Sequence, residues 1–302
     1  ERMGVAGRAA ALDVRQRDSG FEPFQMLTAF VLLMVAGGDC LDDIEMLRQD
    51  AALVTLLGHD LPSAETLRRY LEAFHDPKLM AGRADHEGKA WIAPESPLLQ
   101  SLGALIVEFV HTVANNEPVA VTQATLDHDA TVIEAHKKEA LAHYKGGRGY
   151  QPATVVWAEM GLTLVDEFRD GNVPAGMANR PLIERAFAAL PASVTERFFR
   201  ADSGCYDVQV LKWLAEPTRR IGFAISADMS PQLRGACTAL EASAWTLHEQ
   251  RGQLTIDRAE GEFTPGDWPK QAEPFRYIVL RFVQPQGCLF ADGSTTRYFA
   301  IV

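Results

Sequence analysis

The sequence lacks the spacings by which cysteine builds sites. Its four cysteines, Cys40, Cys205, Cys237 and Cys288, stand far apart and none forms a Cys-x-x-Cys pair. A zinc site or redox dithiol is therefore not expected, and a reducing cytosolic setting fits best. A long hydrophobic run is also missing. The longest, residues 24–36, is interrupted by Gln25 and Thr28 and falls short of the ~20 apolar residues that span a bilayer. It is expected to be a buried helix, with no membrane as partner. The start shows no secretory signal, so nothing points to export. Gly146-Gly147-Arg148-Gly149 lacks the Lys-Ser/Thr of a phosphate-binding loop. Ser203 follows Ala201 and Asp202, which rules out the glycine of a nucleophile elbow.

Positive charge is scarce. Lys and Arg number 29 against 40 Asp and Glu, for a net charge of −11. Nucleic-acid binding needs a basic face, so this balance counts against it. The acidic excess lies mostly in the first third, however. Lys137, Lys138, Lys145, Arg148, Arg200, Arg219 and Arg220 fall in the middle, where they form either a basic groove or a set of solvated surface charges. The hydrophobic fraction of 47% is ample for a core, in one large domain or several smaller ones.

Periodicity divides the chain into four parts. Residues 1–20, polar and rich in Gly and Ala, are expected to be an irregular arm. Residues 21–116 read as helical. Helices are expected over 24–36, 41–49, 51–57, from Ser63 onward and over 98–113, with Ser63 as an N-cap and glycines at 37, 38 and 58 as stops. Residues 58–74 have the layout of a helix-turn-helix, with Arg68 and Arg69 on the second helix as candidate DNA contacts; ordinary helix packing is the competing reading. After Glu117-Pro118 the pattern changes. A strand is expected over 119–131, a hairpin over 153–168, a helix over 181–190, a strand over 197–201, a helix over 208–215 and a strand over 221–226. This is the element order of an α/β, RNase H-like mixed sheet with flanking helices over 117–240. Residues 241–302 turn strand-like again and read as a β-rich insertion.

The chemistry centres on Asp127-His128-Asp129-Ala130-Thr131 and Arg200-Ala201-Asp202-Ser203-Gly204. Residues two apart in a strand share a face, so Asp127 and Asp129 point the same way. Carboxylates held together repel, and a hard divalent cation relieves the repulsion. An acid from an adjacent strand end completes a bridge for two ions about 4 Å apart that activates an attacking oxygen and stabilises a leaving one. An isolated Asp-x-Asp is more often a solvated turn. The histidines at 128, 136 and 143 do not match zinc-ligand spacings and read as surface or packed side chains.

Taken in order, Asp129-Ala130-Thr131, Gly149-Tyr150-Gln151-Pro152, Arg169-Asp170-Gly171-Asn172 and Arg200-Ala201-Asp202-Ser203-Gly204-Cys205-Tyr206 resemble the catalytic domain of bacterial insertion-sequence transposases with a DDE triad. The likeness is greatest to the group with a β-rich insertion between the second and third acids. The segment Leu61-Pro62-Ser63-Ala64-Glu65-Thr66-Leu67 is similar to that group's N-terminal region, and the resemblance covers roughly residues 24–302.

The resemblance implies a DNA transposase that cleaves phosphodiesters and transfers strands at insertion-sequence ends, in the bacterial cytoplasm at the nucleoid. Asp129 matches the first acid and Asp202 the second, as catalytic residues and ligands of Mg²⁺, which Mn²⁺ can replace. Asp127 is an additional candidate ligand or a neighbouring surface group. Lys137, Lys138, Arg148 and Arg200 join Arg68 and Arg69 as DNA-contact candidates, although Arg200 has a structural alternative in pairing with an acid. Tyr150 either stacks on a base or packs on the sheet. The implied partners are terminal inverted repeats, target DNA and a second copy of the chain in a synaptic complex. The sequence departs from the group in two ways. Cys205 stands where an aromatic residue is usual. The third acid, a Glu on a helix after the insertion, is not found, since Glu241, Glu249, Glu260, Glu262 and Glu273 lie in or before the insertion. The chain reads as a fragment, and a non-catalytic DNA-binding or scaffold protein derived from such an enzyme is the alternative. A carboxylate-pair glycosidase is a third reading.

Overall fold

The computed structural model describes residues 5–15, 20–86, 88–266, 268 and 273–302. It separates into two compact units, Glu1–Val119 and Ala120–Val302.

The first unit is helical. Its helices are α1 (Val5–Arg8), α2 (Pro23–Val35), α3 (Ile44–Arg48), α4 (Ala51–Leu57), α5 (Ala64–Glu72), α6 (Pro77–Met80), α7 (Gly82–Asp85) and α8 (Pro97–Asn115). Local chemistry sets the boundaries. Asp50 accepts hydrogen bonds from the N–H groups of Ala52 and Leu53, and Ser63 from that of Thr66, satisfying amides that a helix start leaves unpaired. Gly58 closes α4 at φ 74°, a left-handed conformation that glycine adopts without steric cost. Met26, Leu33, Ile44, Leu61, Leu67, Tyr70 and Phe74 form the core.

The expected arm over 1–20 is corrected in part. Residues 5–12 are helical, and Ala9 and Leu12 are fully buried. Alanine is the strongest helix former, and the Tyr70 hydroxyl donates to the Leu12 carbonyl at 3.3 Å, tying the segment down. Residues 1–4 and 16–19 lie outside the described residues. Helix α8 is 19 residues long and, by length and composition, apolar enough to cross a membrane. Its Leu98, Leu102 and Leu105 pack against the core cluster, and its Glu108 pairs with Arg8 at 3.0 Å.

The second unit is built on strands β1 (Gln123–Ala130), β2 (Ile133–Glu134), β3 (Leu141–Ala142), β4 (Arg148–Tyr150), β5 (Ala153–Trp157), β6 (Leu162–Glu167), β7 (Glu196–Ala201), β8 (Ile221–Ile225), β9 (Thr246–Arg251), β10 (Leu254–Phe263), β11 (Phe275–Val283) and β12 (Thr296–Ile301). Helices α9 (Asn179–Ala188), α10 (Val208–Leu214) and α11 (Pro231–Thr238) lie between them. Five strands form one mixed sheet in the order β6-β5-β1-β7-β8. The β1–β5 and β5–β6 pairs are antiparallel, whereas β1–β7 and β7–β8 are parallel. This is the RNase H-like arrangement expected from the element order: a hairpin returns beside the first strand, and helical crossovers then deliver two parallel neighbours.

Strand alternation gives the sheet a buried face. Ala124, Leu126 and Phe199 are inaccessible, and Phe187 of α9 lies 6.4 Å from Phe199 and 5.7 Å from Trp213 of α10. Residues of the insertion form a second sheet, β12-β11-β10-β9. Its last strand returns to β8, where Ile225 and Val302 exchange two backbone hydrogen bonds of 2.9 and 3.0 Å. A third, small sheet, β2-β4-β3, follows β1. Gly149 in β4 is required there, because a Cβ would sit 2.1 Å from the Ile133 carbonyl oxygen.

Candidate active site

The parallel pair at the centre of the sheet carries the acids. In register, Leu126 lies opposite Phe199, Asp127 opposite Arg200 and His128 opposite Ala201. With side chains alternating, Leu126, His128 and Phe199 take the buried face, and Asp127, Asp129 and Arg200 take the other. The guanidinium of Arg200 donates from Nε and Nη2 to the two oxygens of Asp127, both at 2.7 Å. Asp127 accordingly raises the pKa of Arg200.

One residue further along, Asp129 and Asp202 stand at the carboxyl ends of these two strands, which a sheet spaces about 4.8 Å apart. Asp202 keeps an extended backbone, φ −76° and ψ −174°, so it continues the alternation of β7 and shares a face with Arg200 and Asp129. Both acids are exposed. Thr131 Oγ1 donates to Asp129 Oδ2 at 3.2 Å, and the Gly204 N–H donates to Asp202 Oδ1 at 2.8 Å. Among the described residues, the second oxygen of each carboxylate receives no hydrogen bond. Two hard oxygen donors side by side, open to solvent, suit a divalent cation that completes its shell with water and phosphate oxygens. No group of three His, Cys, Asp or Glu side chains able to hold a metal occurs among the described residues.

Behind the acids lies a buried polar network. His128 Nδ1 is 3.3 Å from Cys205 Sγ. Asn179 Nδ2 lies 3.3 Å from the same sulfur and 2.8 Å from the Ala175 carbonyl, and its Oδ1 accepts from Arg169 Nη1 at 3.1 Å. Arg169, whose side chain is wholly buried, donates from Nε to Glu167 at 2.7 Å. Burial, and then the charge of Arg169, lower the pKa of His128. Burial and the nearby Asp202 push the Cys205 thiol up to about 12.

The other predicted residues are spread more widely. Arg148, at the start of β4, donates to the carbonyls of Ala140 and Lys138 at 2.8 and 2.7 Å and so pins the loop between β2 and β3, while Lys137 and Lys138 are exposed on that loop. Arg68 and Arg69 lie on α5 in the first unit and both pair with Glu65, at 2.9 and 2.8 Å. Tyr150 packs against Phe168 with ring centroids 4.9 Å apart. Of the glutamates weighed as a third acid, Glu249 pairs with Arg251 and Glu260 with Arg276. The buried network is what sequence reasoning missed. Its one legible signal was His128, flanked by two acids on a strand and therefore committed to the opposite face.

A family model described as transposase DDE domain group 1 matches residues 1–291. No curated protein matches the chain. Among solved structures, it is similar to a chain of the piggyBac transposase synaptic complex with hairpin DNA, at 11% identity and a TM-score of 0.42. The match covers 98% of this chain, which spans 63% of the length of that one.

Proposed function

The chain belongs to the transposase DDE domain group 1 family, and from that premise we propose that it is the body of a cut-and-paste DNA transposase with Asp129 and Asp202 as two of its catalytic acids. The observation that carries this reading is their placement side by side, on one open face, at the ends of the central parallel strands. Transposase DDE domains work with divalent metal ions. The all-oxygen donor pair favours Mg²⁺, with Mn²⁺ able to substitute. When bound, the ions supply activation of the attacking oxygen and stabilisation of the leaving oxygen in an in-line displacement.

The chain's own residues perform the rest. Asp129 and Asp202 would hold the ions on one side of the scissile phosphate. Arg200 is fixed by Asp127 and remains 57% exposed, so its outer N–H groups face an approaching phosphate. Water oxygen attacks phosphorus and loses a proton as the bond to the 3′ oxygen breaks, and that oxygen takes up a proton as a 3′-hydroxyl; the hydroxyl then attacks a target phosphorus and displaces the target's own 3′ oxygen, which leaves as a protonated 3′ end. Lys137 and Lys138 on the loop after β2 and Arg148 at the start of β4, with Arg68 and Arg69 on α5, are the proposed contacts to terminal inverted repeats and target DNA. Two copies of the chain form the proposed synaptic complex, at the bacterial nucleoid.

The alternative, a transposase-derived DNA-binding scaffold, is favoured by the lack of a third carboxylate beside the two aspartates among the described residues. Mn²⁺ titration followed by electron paramagnetic resonance separates the two. A catalytic body binds Mn²⁺, and Asp202→Asn abolishes the binding. In the complete transposase, Asp129→Asn and Asp202→Asn are expected to abolish strand cleavage while sparing DNA binding. Retained cleavage by either variant would refute the assignment.

A further inference from the structure

The network behind the acids touches none of the reacting groups. His128 stands between Asp127 and Asp129 but occupies the opposite face, 5% exposed, and Cys205 follows Asp202 by three residues and is fully buried. The ladder between β1 and β7 has its last rung at His128 and Ala201. The ladder brings the two acids to strand spacing, but Asp129 and Asp202 form no rung of their own. The 3.3 Å contact of His128 Nδ1 with Cys205 Sγ spans this gap. It joins the strand bearing the first acid to the turn bearing the second.

The contact is itself held in place. Asn179 Nδ2 reaches both Cys205 Sγ, at 3.3 Å, and the Gly204 carbonyl, at 3.2 Å, and Arg169 fixes the amide from its other end. The Gly204 N–H donates in turn to Asp202 Oδ1 at 2.8 Å, so the turn that Asn179 holds also holds the carboxylate.

We propose that His128 and Cys205 are positioning residues, whose buried contact sets the separation of the Asp129 and Asp202 carboxylates and so the affinity of the cation site. The proposal rests on the reading of those acids as cation ligands. Groups that support metal ligands from behind commonly change affinity 10- to 100-fold when removed.

The test is Mn²⁺ binding by the chain as it stands, read by electron paramagnetic resonance as affinity and as the spectrum of the bound ion. Cys205→Ala and His128→Phe are expected to weaken binding at least about tenfold and to alter the bound spectrum. Cys205→Ser and His128→Asn, which restore a polar partner, are expected to recover affinity to within about threefold of the parent. Val155, buried directly across from His128 on β5, supplies the control. Val155→Ala loosens the same core without touching the polar contact and is expected to leave Mn²⁺ affinity unchanged. Wild-type affinity in Cys205→Ala and His128→Phe overturns the proposal, as does an equal loss in Val155→Ala or failure of both conservative variants to recover. In each of these cases Asp202→Asn still abolishes binding, and the reading of the acids stands. If the parent and Asp202→Asn bind Mn²⁺ alike, that reading falls and the positioning role falls with it.

Discussion

Asp127 and Arg200 face each other across the two central parallel strands and exchange two 2.7 Å contacts, one to each carboxylate oxygen. The pairing distinguishes the two acids of the Asp-x-Asp. Asp127 has both oxygens committed, whereas Asp129, two residues along the same face, has only the Thr131 hydroxyl on one. A cation at Asp127 would have to displace a bidentate guanidinium, while one at Asp129 displaces only solvent.

Asp127→Asn is therefore expected to leave Mn²⁺ affinity within about threefold of the parent, well short of the 10- to 100-fold commonly lost when a group that supports a metal ligand is removed. Both partners are largely exposed, at 57% and 41%, so solvent screening limits the stability cost to at most about 1 kcal/mol in urea denaturation. Loss of Mn²⁺ binding in this variant would move Asp127 into the metal site.

Much of this arrangement was legible in the chain because it rests on short-period patterns. Ala124, Leu126 and His128 alternate with polar neighbours, and Gly161 at φ 62° turns the hairpin, so β1, β5 and β6 follow from local rules. The β2-β4-β3 sheet was not legible. Strands of two or three residues carry no periodicity, and this sheet depends on a backbone approach that Gly149 permits. Helix α11 was missed as well; its interior Gly235 weakens a helical signal. At the site, the strand-end positions of Asp129 and Asp202 could be read from sequence. The network of Arg169, Asn179 and Cys205 could not, since residues 26 and more apart from Cys205 to its partners meet only once the sheet is assembled. Arg169 in particular reads as a turn residue and is instead wholly buried.

The thiols provide a test of that burial. Cys40 and Cys288 are exposed, while Cys205 and Cys237 are buried. Two thiols are expected to react with an aromatic disulfide reagent at pH 8 in the native protein, and all four in denaturant. Native Cys205 keeps its proton to about 12, against an ordinary value of 9.0. Between those values the unfolded chain has released a proton that the folded chain retains. This contribution to stability is therefore complete below about pH 9 and declines as pH rises towards 12. Cys205→Ser should flatten that alkaline decline in thermal unfolding; an unchanged slope would mean that Cys205 is not the group responsible.

Two glycines should respond to alanine with opposite signs. At Gly149 a Cβ would meet the Ile133 carbonyl oxygen at 2.1 Å. That neighbour is backbone and cannot rotate aside, so Gly149→Ala is expected to cost about 1–3 kcal/mol or more. Gly103 lies inside α8 with nothing within 4 Å of the added atom. There the substitution removes backbone freedom from the unfolded chain and is expected to stabilise by about 0.4–1 kcal/mol. Chemical denaturation of each variant measures both effects, and a neutral Gly149→Ala would show that β2 and β4 can separate at little cost.

Arg169 offers the most demanding case, because its guanidinium is fully buried and holds Glu167 through Nε and Asn179 through Nη1. Truncating one member of a buried ion pair leaves the other charge unpaired, which costs about 3–5 kcal/mol. Arg169→Met should lose stability on that scale in urea denaturation. Arg169→Lys keeps the charge but presents a single ammonium in place of a planar fork, so it cannot reproduce both contacts and should recover only part of the loss. A double variant, Arg169→Met with Glu167→Gln, separates charge from shape. If the penalty comes from the stranded carboxylate, removing its charge should return a substantial fraction of the stability. If the double variant is as unstable as Arg169→Met alone, the loss lies instead in the Asn179 amide and the turn that it anchors beneath Asp202.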